Sequence, residues 1–64
     1  MNIYHIEVLM WDGDYWQATH EAVVVRETEA AALAHFGWTK GNVHVKLLGK
    51  AAKGINEGTV LEIH

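Results

Sequence analysis

Five histidines stand among 64 residues, and imidazole is both a common metal ligand and the side chain that titrates nearest neutrality. Their positions are His5, His20, His35, His44 and His64. None lies three or four residues from another and none sits in an HExxH pattern, so their spacing points to no zinc site. His20 has two readings, a core-edge imidazole hydrogen-bonded to backbone or a titrating functional group. His35 falls near a helix end, where partial positive charge is favourable. Asp12 and Asp14 flank Gly13. Paired carboxylates do acid–base work when one is buried, but a hairpin tip is solvated and turn chemistry accounts for this pair. Serine and cysteine are both absent, which removes those nucleophiles, disulfides and thiolate zinc sites. Gly37, Gly41, Gly49, Gly54 and Gly58 form neither GxGxxG nor a Walker loop. The expectation is a chain with no catalytic residues, no metal site and no cofactor.

The elements that position these groups follow from periodicity. Residues 3–11 alternate with period two. Tyr4, Ile6, Val8 and Met10 form one apolar face, and Ile3, His5, Glu7, Leu9 and Trp11 a mixed one, the pattern of a strand buried on one side. Asp12-Gly13-Asp14 signals a turn, and residues 15–26, rich in aromatic and β-branched types, read as a second strand. Face matching favours a three-residue loop, since a one-residue slip would move every side chain to the other face. That register pairs Trp11 with Tyr15, Met10 with Trp16 and Leu9 with Gln17. It also sets His5 opposite Glu21, a cross-strand pair worth about 0.2–1 kcal/mol.

Thr28 is the expected N-cap of a short helix, with Glu29 at its positive end. Ala30–Ala34 is the strongest helix-forming run, Gly37 stops it, and Ala32, Leu33 and Phe36 make its apolar stripe. Val43, Val45 and Leu47 alternate with His44, Lys46 and Leu48 in a third strand. Gly49 to Gly58 is a loose connection, and Thr59 to Ile63 is the last strand. The fold class is α+β in a ββαββ layout: a four-stranded, mostly antiparallel sheet with one short helix packed on one face. Strand order is left open.

Half the residues are apolar and a fifth charged, with no proline. That is too apolar for a disordered tail and, at this length, one domain spanning residues 1–64. So short a domain buries only about 60% of its chain surface and is marginal without help from metals, disulfides or oligomers. The first residues, through Glu7, do not resemble a signal peptide, and no stretch approaches the roughly 18 apolar residues of a membrane span. A cytoplasmic location is expected. Charge is uneven: residues 1–32 carry one base and six acids, net −5, and residues 33–64 four bases and two acids, net +2.

One short helix covers one sheet face, so the reverse face should expose Ile3, Leu9, Trp11, Tyr15, Val23 and Val25. Contiguous apolar patches mark interfaces, and Trp and Tyr are favoured at their energetic centres. The competing reading is that Trp11 and Tyr15 stack and close the hairpin. The candidate contact residues are Ile3, Leu9, Trp11, Tyr15 and Gln17. They indicate a non-enzymatic protein-interaction module that self-associates, as a homodimer, or binds a larger protein. The alternative is a weak single-stranded nucleic-acid binder that stacks bases on Trp11, Tyr15 and Trp38 beside Lys40, Lys46, Lys50 and Lys53. The hairpin aromatics sit among acids, which disfavours a polyanion.

The strand–turn–strand opening, the run Arg26-Glu27-Thr28-Glu29-Ala30-Ala31-Ala32 and the tail Gly54-Ile55-Asn56-Glu57-Gly58-Thr59-Val60 resemble, in layout, the small α+β proteins encoded by phages and prophages. The resemblance implies an accessory role by contact with a host protein, including one of a defence system. It carries over no catalytic or binding residue.

Overall fold

A computed structural model describes residues 1–37 and 42–63. Strands β1 (Asn2–Trp11) and β2 (Trp16–Arg26) come first. A single helical turn, α1 (Glu29–Leu33), runs into a 3-10 turn over Ala34–Phe36, and strands β3 (Asn42–Lys50) and β4 (Gly58–Ile63) follow. All pairings are antiparallel and the sheet order is β3-β1-β2-β4. The chain is thus α+β, with four antiparallel strands and one short helix. The first hairpin forms the centre of the sheet and the two later strands its edges. Trp38, Lys40, Gly41 and His64 lie outside the described residues.

The period-two pattern of β1 is realised as far as Val8, whereas Met10, expected on the same buried face, is 40% exposed because β3 pairs with β1 only up to Leu9. Tyr4, Ile6 and Val8 are buried beside Ala22 and Val24 of β2, and Ala32 and Phe36 join the same cluster, with Val43 and Val45 packed at its border. Each large side chain so buried contributes about 1.5–3 kcal/mol. Thr28 is extended (φ −135°, ψ 160°), and its hydroxyl accepts from the Ala31 amide at 3.2 Å, with Glu29 in the first turn. Ala32 and Phe36, four apart, share a face. Leu33, one position on and so turned about 100° away, is 39% exposed and does not belong to the buried stripe. Gly37 closes the 3-10 turn at φ −63°, so the helix stops without a left-handed residue.

The hairpin register corrects the sequence-based expectation. The loop has four residues, 12–15, and the last strand pair is Trp11 with Trp16. Met10 then faces Gln17 and Leu9 faces Ala18, a pairing that mixes the faces at the tip. The mismatch is removed within β2, where Val8 pairs with His20 and Thr19 is the extra residue of a bulge. A bulge adds one residue to one strand and so restores face parity. Beyond it the buried faces coincide as expected, but each partner is displaced by two residues: Ile6 faces Ala22 and Tyr4 faces Val24. The Thr19 hydroxyl donates to the Val8 carbonyl at 3.5 Å and lies in hydrogen-bond contact with His20 Nδ1 at 3.0 Å. The His20 ring packs 5.9 Å from Phe36.

Two further register shifts lie on the edge strands, leaving Leu48 unpaired opposite β1 and Val60 unpaired opposite β2. Bulges on edge strands twist them and discourage edge-to-edge aggregation. No helix among the described residues is long and apolar enough to cross a membrane.

Candidate functional site

Pairing arranges the face opposite the buried cluster in rows across the strands. Leu9 lies between Asn42 and Ala18, Glu7 between His44 and Glu21, His5 between Lys46 and Val23, and Ile3 between Gly49 and Val25. Leu61 extends the His5 row, through Val23, onto β4. This face is not uniformly apolar. Its middle is a titratable cluster of His5, Glu7, Glu21, His44 and Lys46, and its exposed aromatic side chains gather at the hairpin tip.

The tip is an arm. β3 pairs with β1 only as far as Leu9 and β4 pairs with β2 only from Glu21 onward. Beyond those points the two central strands pair only with each other among the described residues, consistent with a molecule 44 Å long and 16 Å across. Met10, Trp11, Tyr15 and Trp16 are 40%, 55%, 59% and 50% exposed. Trp11 and Trp16 meet edge to face, with centroids 5.7 Å apart, an arrangement worth about 0.5–1.5 kcal/mol beyond its buried area.

The turn explains why Trp16, rather than Tyr15, faces Trp11. Asp12 Oδ1 accepts from the Asp14 amide at 2.9 Å and the Tyr15 amide at 3.0 Å, and the Asp12 amide donates to the Tyr15 carbonyl. Gly13 supplies φ +108°, a value L-residues rarely adopt. Tyr15 is thereby drawn into the turn. The amide hydrogen bonds, that of Tyr15 foremost and then that of Asp14, hold the Asp12 carboxyl below its ordinary value. A lowered folded-state pKa gives stability that is present above the unfolded carboxylate range and lost as the pH falls through the folded value. Asp12→Ala should therefore lower the urea midpoint slightly at neutral pH. The difference from wild type should vanish in acid below the carboxylate range.

Of the expected contact residues, Trp11 and Tyr15 are exposed at the tip, and Ile3 and Leu9 are half-buried on the reverse face. Gln17 is not on that face. It pairs with Met10 and so shares Met10's side, because the four-residue loop shifts the register there by one. Val25, expected in the open, is 4% exposed, enclosed between Ile3 on β1 and Gly58 on β4. Trp16 is the contact candidate the pattern did not reveal.

His5 Nε2 lies 3.5 Å from Glu21 Oε1. The two are diagonal neighbours, since Glu21 stands directly opposite Glu7. His5, Glu7, His44 and Lys46 line a shallow depression of about 300 Å³ together with Val45. A smaller one of about 40 Å³ lies on the other side of His5, toward Glu21, Val23 and Leu61. At the far end of the sheet, Arg26 donates to the carbonyls of Val25 and Gly58 at 2.9 and 2.7 Å and to His35 Nδ1 at 3.4 Å. His35 Nε2 donates in turn to Glu62 at 2.6 Å. That network joins strand ends to the 3-10 turn and reads as structural. No family model, curated protein or solved structure matches the chain.

Proposed function

We propose that the chain is a non-enzymatic protein-interaction module, of the accessory kind that phages encode, and that it acts by self-association through its aromatic arm. The observation that carries this reading is the arm itself: Trp11, Tyr15 and Trp16 are each at least half exposed at the end of a two-stranded projection. Exposed aromatic clusters are costly in water and enriched at interface centres. The lack of serine and cysteine supports action by contact rather than by covalent chemistry.

A second copy is the partner that the charge pattern favours. Asp12 and Asp14 make the tip acidic. β3 offers Lys50 on the same face as Leu47, since they pair with Asn2 and Tyr4, and Leu47 is 57% exposed. An arm laid along β3 of another copy sets ring against aliphatic chain and carboxylate against ammonium. Two-fold symmetry makes the contact twice. The same acidic tip disfavours the nucleic-acid alternative, because base stacking would bring phosphates toward Asp12 and Asp14.

Light scattering tests this directly. The wild type should show twice the chain mass of 7.2 kDa, and Trp11→Asp combined with Tyr15→Ser should show 7.2 kDa with an unchanged far-ultraviolet spectrum. A monomeric wild type that captures a different protein through the same residues would replace the second copy by a host partner. A double variant that loses its folded spectrum would place these rings in the core and overturn the reading.

A further inference from the structure

We infer that His5, Glu7 and Glu21 form a binding site for a divalent transition cation of the zinc class on the reverse face of the sheet. One imidazole nitrogen and one oxygen from each carboxylate all lie within 4.8 Å of one another, and all three residues are half-buried. The backbone does the gathering. His5 and Glu7 are two apart on β1 and so share a face, and Glu21 is the direct cross-strand partner of Glu7. His44 stands opposite Glu7 on β3 and lines the same depression as His5 and Glu7, which makes it the next available donor.

Three observations favour a cation over a bare surface cluster. Like charges directly opposite on neighbouring strands are destabilising, yet Glu7 and Glu21 are so placed. His5 Nε2 approaches Glu21 Oε1 to 3.5 Å, while Glu7 makes no ion pair among the described residues. The donors also approach the right spacing. Zinc–nitrogen and zinc–oxygen bonds of about 2.0–2.2 Å imply ligand separations of roughly 3.4 Å, so side-chain rotations that bring the donors up to about 1.4 Å closer than 4.8 Å close the set. Imidazole with two carboxylates suits zinc, cobalt or nickel, whereas calcium and magnesium take oxygen ligands. A bound cation would also pin β1 to β2, a form of help that a small domain without cysteine can use.

Lys46 pairs with His5 across the strands and lines the depression, so its ammonium opposes the incoming cation. That gives the site a signature an adventitious surface ion lacks. Cobalt titrated into the untagged, chelator-treated chain should give visible absorption bands that saturate at one ion per chain. Glu7→Gln and Glu21→Gln should each weaken binding at least tenfold, Lys46→Met should tighten it severalfold, and His35→Gln should leave it within twofold. In the wild type, zinc should move the imidazole NMR signals of His5 and leave those of His20 unmoved, a readout that needs no variant. No binding at millimolar cobalt, wild-type affinity in both Glu→Gln variants, or an unmoved His5 signal would each overturn the site.

Discussion

Phe36→Ala should unfold most of the population at 37 °C or leave a midpoint so low that no native baseline is seen in urea. The ring is 1% exposed and is among the largest fully buried side chains, with Ile6, Val8 and Val24. It joins a cluster whose other helical member is Ala32, too small to hold the helix alone. His20 and His35 flank it, with centroids 5.9 and 4.7 Å away. Truncating a buried Phe costs about 3–5 kcal/mol. At roughly 0.05–0.15 kcal/mol per residue, a chain of this length has about 3–10 kcal/mol in all. The loss should also be cooperative. α1 spans only Glu29–Leu33, far below the roughly 12 residues at which isolated helices become marginally stable, so once Phe36 is gone the helix has no reason to persist. Circular dichroism against urea, with Leu33→Ala as the exposed control expected within about 0.5 kcal/mol of wild type, separates ring burial from helix propensity.

What could be read from the chain, and what could not, divides along physical lines. The buried face of β1 was legible because Tyr4, Ile6 and Val8 alternate without interruption and period two leaves one solution. The helix start was legible because Thr28 and Glu29 supply cap and dipole partner at adjacent positions. The tip was not. Its register rests on an Asp12 carboxylate gathering two amides and on a bulge at Thr19, each of which slips the pairing in a way that simple alternation hides. The two slips compensate, so the core survives an error that moves Gln17 off the reverse face and brings Trp16 against Trp11. The His5–Glu7–Glu21 cluster was legible in part, because His5 and Glu7 share a face and the expected register already set Glu21 opposite His5. Motif spacings of metal sites are read along one element, whereas here the third donor arrives from the neighbouring strand and only the true register brings it opposite Glu7. Strand order lay beyond reach for a related reason, since nothing in β3 or β4 specifies which side of the central hairpin each takes.

Arg26→Leu should cost on the order of 2–3 kcal/mol, more than its place at a strand end suggests, and the loss should appear first as detachment of β4. Its side chain is only 14% exposed, and its guanidinium binds the carbonyl of the neighbouring Val25 and that of Gly58, 32 residues further along the chain than Arg26, while reaching His35. Hydrogen bonds to a charged donor contribute about 1.5–3 kcal/mol, and removing the donor leaves the partly buried acceptors unsatisfied. The contact with Glu57 adds little, because it spans 3.9 Å to a carboxylate that is 57% exposed and exposed pairs contribute under about 1 kcal/mol. Glu57→Gln should accordingly be near neutral. Arg26→Lys should recover only part of the loss, since an ammonium keeps the charge but not the planar fork that serves several acceptors at once. Hydrogen exchange locates the effect. β4 is an edge strand paired to β2 alone, and Arg26 ties its first residue, Gly58, to the end of β2. In Arg26→Leu the amides of β4 should exchange faster by a larger factor than those of Tyr4, Ile6 and Val8 on β1. Equal acceleration of both sets would mean that Arg26 acts on global stability and not as a clamp on that edge.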